Sequence, residues 1–411
     1  MIIFIIMSIT EYCRICKNNK LVDILDFGPQ GLASRFPAAN EEDPQKVPLV
    51  LVKCENPQCY LVQLKHTVTN TDLYEHAYGY RSGINATMTN HIQELVKTIE
   101  SRVKLIQGDT VIDIGSNDAT LLKSYSTQNI HKIGVDPTGL QFKEYYTNDI
   151  ELFPTYFKKG VIQSIEAKVI TSISMFYDLP DPVQFMKDIK DILHPNGIWV
   201  QEQSYMPEML NTNSFDTVCH EHLEYYALKQ IILMANMTGL SVFDVEFNAC
   251  NGGSFRVFLC HPGAYARNTE KIFSTLKREQ IMCLHCVTPY MEFGERCKKI
   301  RSDLLEFLKT AGTVYLYGAS TKGNTLLQYC GIDNTVIVAA AERNPRKYGC
   351  RTPITNIPII SESDMRRDKP DVLLVLPWHF KKEFIEREQE FLKNGGTIVF
   401  PLPNLEIIKY V

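Results

Sequence analysis

Two separate stretches of this 411-residue chain repeat one rhythm: a short apolar run, a turn, a helix start, and another apolar run. The first stretch holds "TVIDIGS" (110–116), "KIGVD" (132–136), "KVITSIS" (168–174) and "IWVQEQS" (198–204). The second holds "TVYLYGAS" (313–320), "TVIVAAAE" (335–342), "DVLLVLP" (371–377) and "GGTIVFPLP" (395–403). Near-continuous apolar runs bounded by turn residues suit strands buried on both faces, and strands alternating with helices require a parallel sheet. The rhythm therefore predicts an α/β fold with two Rossmann-like, doubly wound parallel-sheet domains. Around it, residues 86–107 read as a helix, with His91, Leu95, Ile99 and Val103 spaced by four, and "DPVQFMKDIKDILHPNG" as an amphipathic helix stopped by Pro195 and Gly197. Residues 264–310 read as long, charged helices bridging the two sheets. Residues 11–65 are short strands and turns around cysteines, so a small module precedes the sheets. The expected division is 1–75, 76–250 and 251–411.

A net charge of −4, with 45% apolar and 22% charged residues, is ordinary for a globular chain and gives no field that would attract nucleic acid. The opening "MIIFIIM" is apolar for seven residues, far short of the roughly 20 a membrane span needs. It also lacks the basic segment and cleavage site of a secretory leader. Met7 opens a more conventional start, so residues 1–6 read as an extension or a short strand. The expectation is a cytoplasmic monomer that binds no membrane. In a reducing compartment its twelve cysteines are thiols or metal ligands.

Cys13-x2-Cys16 and Cys54-x4-Cys59 form two short cysteine loops. Each loop can place two sulfurs on one side of an ion, and four thiolates suit tetrahedral zinc. A segment with so little core of its own gains its stability from such an ion. Cys283-x2-Cys286, with His285 between and Cys297 beyond, is a weaker look-alike without a second paired loop.

"VIDIGSNDATLL" (111–122) places Asp113 near the end of a buried strand and Gly115 at the turn, where a ligand can approach the backbone. Asp136 ends the next strand, 21 residues after Gly115, and can accept the hydroxyls of a ribose. The loop lacks the G-x-G-x-x-G that clears space for a pyrophosphate, and its residues are Gly115, Ser116, Asn117, Asp118 and Ala119. Asp113 and Asp118 would repel a pyrophosphate and suit a ligand with an ammonium and a sulfonium, which describes S-adenosylmethionine.

"FDTVCHEHLEYY" (215–226) concentrates His220, Glu221 and His222 beside Cys219. Three readings stand: a metal pair from His220-x-His222 on a strand, a structural polar stretch, or an acid–base site in which a carboxylate fixes the imidazole tautomer. The stretch follows "IWVQEQS" closely enough to fold over the carboxyl edge of the first sheet.

Together these pieces resemble the sugar C-methyltransferase family. The matching stretches are "CRIC", "LDFGPQGLASRF", "CENPQCYLVQL", "IDIGSNDATLL", "FDTVCHEHLEYY", "NGGSFRVF", "YGASTKGNTLL", "KYGCRTPITNIPI" and "NGGTIVFPLP", in family order from about residue 12 to 405. The resemblance implies zinc on Cys13, Cys16, Cys54 and Cys59, and S-adenosylmethionine on the loop of Gly115, Asn117 and Asp118. It implies a catalytic Glu221–His222 pair with His222 as base, and a site tyrosine at Tyr78 or Tyr80. The chain departs from the family at Cys219, where Tyr is usual; at Tyr177, where His is usual; at Ala119, where Gly is usual; and in the x4 spacing of its second cysteine loop. The implied reaction is methylation of carbon beside the ketone of a nucleotide-linked 4-keto-deoxysugar through a base-generated enolate. The nucleotide diphosphate is expected on Lys322 and Asn324, with Arg256 and Lys347 as further charges. An O- or N-methyltransferase is the alternative. A non-catalytic zinc scaffold and a nicotinamide oxidoreductase using Gly318 and Glu342 are more remote.

Overall fold

The computed structural model describes residues 7–68, 80–162 and 165–410. Its strands in chain order begin with β1 (Met7–Ile9), β2 (Leu21–Gln30), β3 (Val47–Cys54), β4 (Val62–Leu64) and β5 (His66–Val68). There follow β6 (Thr110–Ile114), β7 (His131–Val135), β8 (Ile150–Phe153), β9 (Ala167–Ile173) and β10 (Leu193–Ser204). Next come β11 (Glu224–Tyr225), β12 (Ser241–Asn248) and β13 (Ser254–Cys260). The last six are β14 (Val314–Tyr317), β15 (Ala340–Glu342), β16 (Ile359–Ser361), β17 (Val372–Val375), β18 (Thr397–Phe400) and β19 (Glu406–Ile408).

The first large sheet has the order β12-β13-β10-β9-β6-β7-β8. Neighbours from β10 to β8 run parallel, and β13 is antiparallel to both β10 and β12. Every residue of β6, "TVIDI", is buried, as a central strand covered on both faces requires. The second large sheet has the order β16-β15-β14-β17-β18-β19 and is parallel except for β19. In each sheet the chain starts at a central strand, β6 or β14, winds outward on one side, then crosses to the other. The crevices at the carboxyl ends of β6/β9 and β14/β17 are therefore the topological switch points where such sheets take ligands.

The small N-terminal sheet, β11-β4-β3-β2, is antiparallel, and β1 pairs with β5 beside it. Its β11 comes from far along the chain: Glu224 and Tyr225 pair with Gln63 and Val62. The cysteine module thus takes as an edge strand the end of the very stretch that carries His222.

Three local readings needed adjustment. The helix expected over 86–107 spans Ala86–Arg102, capped by Asn85, and leaves helical geometry at Val103. The strand expected over 335–342 is only Ala340–Glu342. Asp333 accounts for this, since its carbonyl takes the amides of Val336 and Ile337 and its carboxylate takes the amide and hydroxyl of Thr335. That local turn uses donors a ladder would need. The bridging segment resolves into helices Thr269–Ile281 and Thr288–Thr310, and Gly294 lets the second approach Leu25 of β2 closely. One continuous core joins all three sheets, with Phe176, Phe185 and Trp199 in edge-to-face and tilted contacts beneath the site. Burying each such side chain contributes roughly 1.5–3 kcal/mol.

Candidate active site

Cys13, Cys16, Cys54 and Cys59 bring all four sulfurs within 4.8 Å of one another. Cys13 Sγ lies 3.6 Å from Cys59 Sγ, and Cys16 Sγ lies 3.6 Å from Cys54 Sγ. Four sulfurs bound at about 2.3 Å in a tetrahedron would stand about 3.8 Å apart, so the set fits zinc. The backbone N–H of Asn56 and the amide of Asn18 point at Cys54 Sγ, as donors to a thiolate do. The x4 spacing is accommodated by a turn in which the amides of Cys59 and Tyr60 both donate to Asn56 O. Cys283 is exposed, and no cluster of metal-ligating side chains forms around it among the described residues.

Arg14, between two of these cysteines, carries the module's order to the next site. Its guanidinium donates to the carbonyls of Leu64 at 3.1 Å and Leu223 at 3.4 Å and pairs with Glu224 at 3.3 Å. The amide of Leu64 also donates to Leu223 O.

The first switch point opens into a cavity lined by Asp113, Gly115, Ser116 and Asn117 from the β6 turn, Asp136 from β7, and Ser174 and Met175 after β9. Asp113 is buried, and its carboxylate accepts from the Thr171 hydroxyl at 2.6 Å. Burial pushes its pKa up to about 7. It enters no ion pair among the described residues, so a cationic ligand would be the natural counter-charge. Gly115 turns at φ +78°, and a Cβ there would meet Met175 at 3.1 Å. Asp136 accepts from the amides of Asn117 and Thr138 and from the Thr138 hydroxyl, which leaves acceptor capacity for one more donor. A cavity walled by carboxylates and a glycine turn, with no cation among the described residues that line it, fits S-adenosylmethionine. Asp118 does not line it. Its carboxylate instead accepts from Thr120 and from the amide of Gly83. Ala119 sits at φ 59°, a left-handed conformation that explains why glycine is the easier residue there.

A second, larger cleft lies at the carboxyl ends of β14, β15 and β17 and runs on to the first cavity, with Tyr80, Met88, Ser174 and Asp178 lining both. His222, Glu221, Cys219, Tyr177 and Asp216 face it from one side, and Lys322, Lys347 and His379 from the other. Residue Tyr78 lies outside the described residues.

His222 Nδ1 is 2.7 Å from the Thr217 carbonyl, so Nδ1 carries the proton and donates. Nε2 is then a lone-pair acceptor. Burial, with Lys322 adding to it, holds the pKa down to about 4, so the imidazole is neutral at physiological pH. The Tyr177 ring stands 4.2 Å from the imidazole, centroid to centroid. Glu221 does not orient His222. Glu221 Oε1 accepts from the amide of Ser34 at 3.0 Å, and its buried Oε2 has no hydrogen-bond partner among the described residues. His220 also turns away: its Nε2 meets the carbonyl of Val47 in β3 at 3.1 Å, and it is fully buried. The two histidines do not converge on a metal.

The cations expected for a phosphate are scattered. Lys322 opens the helix Thr321–Cys330, and its Nζ donates to Asn251 O at 3.2 Å. Lys347 lines the cleft but donates to Ala319 O at 2.8 Å. Asn324 is fully buried and donates to Ala33 O, holding the helix to the N-terminal module. Arg256 is buried between Glu202 and Glu246, away from the cleft. Both oxygens of Glu342 accept backbone amides, from Ala319, Arg343 and Asn344, which leaves little for a nicotinamide ribose.

Sequence reasoning missed four contributors. The Thr217 carbonyl and the Ser34 amide are backbone groups with no residue-type cue. Trp378 donates its indole N–H to the buried Asp216 at 2.9 Å and so ties the second sheet to the His222 loop. His379, beside it, lines the cleft, with burial pushing its pKa down to about 3.

No helix of the described residues is long and apolar enough to cross a membrane. Family models match in succession: a zinc binding domain over residues 13–74, a methyltransferase domain over 84–245, and a C-methyltransferase C-terminal domain over 249–403. The C-methyltransferase NovU of Streptomyces niveus is 29% identical over 410 residues, 97% of each chain. Solved structures match less of the chain. A SAM dependent methyltransferase from Aquifex aeolicus is 15% identical, with 42% of this chain and 97% of that one covered and a TM-score of 0.32. The CcbJ methyltransferase from Streptomyces caelestis is 13% identical, with coverage of 41% and 89% and a TM-score of 0.33. With the three domain models following one another along nearly the whole chain, the protein is similar to C-methyltransferases throughout its length and is an S-adenosylmethionine-dependent methyltransferase with a zinc-binding N-terminal module.

Proposed function

We propose that the enzyme methylates the carbon beside the ketone of a nucleotide-linked 4-keto-deoxysugar, with His222 as the base. The observation that carries this reading is the hydrogen bond from His222 Nδ1 to Thr217 O, which leaves Nε2 free to accept a proton in the cleft. A C–H bond beside a ketone is activated because its electrons delocalise onto the carbonyl oxygen as an enolate, and an imidazole held near pKa 4 takes the proton only where that oxygen is stabilised at the same time. His222 Nε2 takes that proton, and the Thr217 carbonyl stabilises the imidazolium that forms. Tyr80, or Tyr78, hydrogen-bonds the developing oxyanion, a contribution of a few kcal/mol when preorganised. When bound, S-adenosylmethionine supplies the sulfonium methyl that a carbanion-like acceptor carbon attacks. Asp113 and Asp136 hold the donor in the first cavity. Tyr177 packs on the imidazole and limits its rotation. Glu221 and Cys219 shape the acceptor pocket.

The diphosphate lies at the start of the helix Thr321–Cys330, where backbone amides and Lys322 face the cleft. We assign residues 1–75 to zinc, 76–250 to donor and base, and 251–411 to the nucleotide, with β13 (Ser254–Cys260) of that last stretch completing the donor sheet, in a cytoplasmic monomer. The test is incubation with labelled S-adenosylmethionine and a panel of nucleotide 4-ketosugars, with mass spectrometry of the product. A new carbon–carbon bond, lost in His222→Ala, is expected. A methyl group on oxygen or nitrogen, or full turnover by His222→Ala, refutes it.

A further inference from the structure

Asn117 and Asp118 belong to the β6 turn that closes the donor cavity, yet their side chains face the segment 80–85. Asn117 Oδ1 accepts the amide of Ser82 at 2.9 Å, and Asn117 Nδ2 donates to the carbonyl of Tyr80 at 3.2 Å. Asp118 Oδ2 accepts the amide of Gly83 at 3.0 Å and lies 3.7 Å from Arg81 Nε. The fit is close: a Cβ on Gly83 would stand 2.6 Å from Asp118 Oδ2 and 2.9 Å from Thr120 Oγ1. Asn117 itself turns at φ 49°, the left-handed region, which aims its side chain across the turn.

The strap so held is a shared wall. Tyr80 and Ser82 line the donor cavity, while Tyr80, Arg81, Ile84 and Asn85 line the acceptor cleft. The guanidinium of Arg81 stacks 4.4 Å from the Tyr145 ring, so its charge has a fixed place at the cleft.

We propose that Asn117 and Asp118 are positioning residues for the acceptor: they latch the strap 80–85 to the donor loop, so that filling the donor cavity sets the wall of the acceptor cleft. The statement that the second cleft takes a nucleotide-linked acceptor rests on the reading above. The latch itself does not. A donor-site ligand that touches Tyr80 and Ser82 favours the latched strap, and linkage makes the acceptor favour the donor in turn. Donor and acceptor binding are then mutually cooperative.

The primary test follows amide hydrogen exchange of residues 80–85 with and without S-adenosylhomocysteine. Asn117→Gly removes the latching side chain while keeping the left-handed turn and the backbone amide that donates to Asp136. Gly83→Ala crowds the Asp118 carboxylate and the Thr120 hydroxyl and so breaks the same contact from the strap's side, with the residues of the β6 turn unchanged. In the unaltered enzyme, S-adenosylhomocysteine is expected to slow exchange at Ser82 and Gly83 at least about tenfold. In both variants the slowing is lost, while calorimetry still detects S-adenosylhomocysteine binding. No slowing in the unaltered enzyme, or equal slowing in both variants, overturns the proposal.

A second arm titrates UDP and TDP. Affinity should rise about fivefold or more when S-adenosylhomocysteine is present, and the rise should vanish in Asn117→Gly. Equal nucleotide affinity with and without S-adenosylhomocysteine also overturns the proposal. If neither nucleotide binds while the exchange result holds, the nucleotide reading fails and the latch stands.

Discussion

Replacing Arg14 by Met should loosen the link between the zinc module and the His222 loop. Arg14 and Glu224 are 5% and 0% exposed, 3.3 Å apart, and the guanidinium also serves Leu64 O, Leu223 O and the Thr67 hydroxyl. Methionine fills the space and removes every one of those donors. Breaking a buried pair by deleting one partner costs about 3–5 kcal/mol, because the other charge stays buried and alone. Burial already pushes the Glu224 carboxyl well above its ordinary range. In the variant it will take up a proton instead of remaining ionised, so the loss should fall near the lower end, about 3 kcal/mol. Arg14→Met/Glu224→Gln removes both charges and should recover at least half of it. The assay is urea unfolding followed by fluorescence, with native-state exchange of the Leu64 amide, which donates to Leu223 O. Activity should fall in the single variant while S-adenosylhomocysteine affinity stays within about twofold, since the donor cavity lies elsewhere. A single variant within about 1 kcal/mol of the parent, or losses that simply add in the double variant, would refute the reasoning.

Donor affinity should depend on pH through Asp113. A cationic ligand needs the ionised carboxylate, whose pKa in the free enzyme is about 7, so binding releases protons. Affinity is retained above pH 7 and lost as pH falls: between pH 7 and 5.5 calorimetry should show a drop of an order of magnitude, absent in Asp113→Asn, and a flat profile in the unaltered enzyme would contradict this. Trp378→Phe removes the side-chain donor on the buried Asp216 and should lower stability by about 1–3 kcal/mol; an unchanged urea midpoint would show that the contact contributes nothing. Stripping zinc with a chelator should raise amide exchange in residues 62–64 and 223–225 together, because β4 and β11 are one ladder resting on the cysteine loops. Exchange confined to residues 13–59 would break that coupling.

Strands β6, β7, β9 and β10 of the first large sheet and β14, β15, β17 and β18 of the second were legible because each is a run of apolar residues ended by a turn residue, whereas the outer strands β8, β12, β13, β16 and β19 were not read. The cysteine spacing was legible for a similar reason: two short loops constrain four sulfurs before any fold is known. Contacts between distant segments were not. Glu221 and His222 are neighbours in sequence, which suggested a pair, yet the carboxylate answers to Ser34, 187 positions away. Asn324 sits where a phosphate ligand would, but Ala33 has claimed its amide. Arg256 reads as a free cation until the buried Glu202 and the partly exposed Glu246 beside it are known. Asp118 reads as a cofactor group until the strap at Gly83 is seen to dock on it. In each case the residue type was informative and its partner came from another element of the fold.

The most direct measurement of the base assignment needs no methyl transfer. Enzyme, S-adenosylhomocysteine and a nucleotide 4-ketosugar are mixed in deuterated water, and deuterium at the carbon beside the ketone is followed by mass spectrometry. Steady wash-in by the unaltered enzyme, and a rate at least about a hundredfold lower for His222→Ala, is the expected result. Wash-in at the same rate by His222→Ala would mean that another group takes the proton.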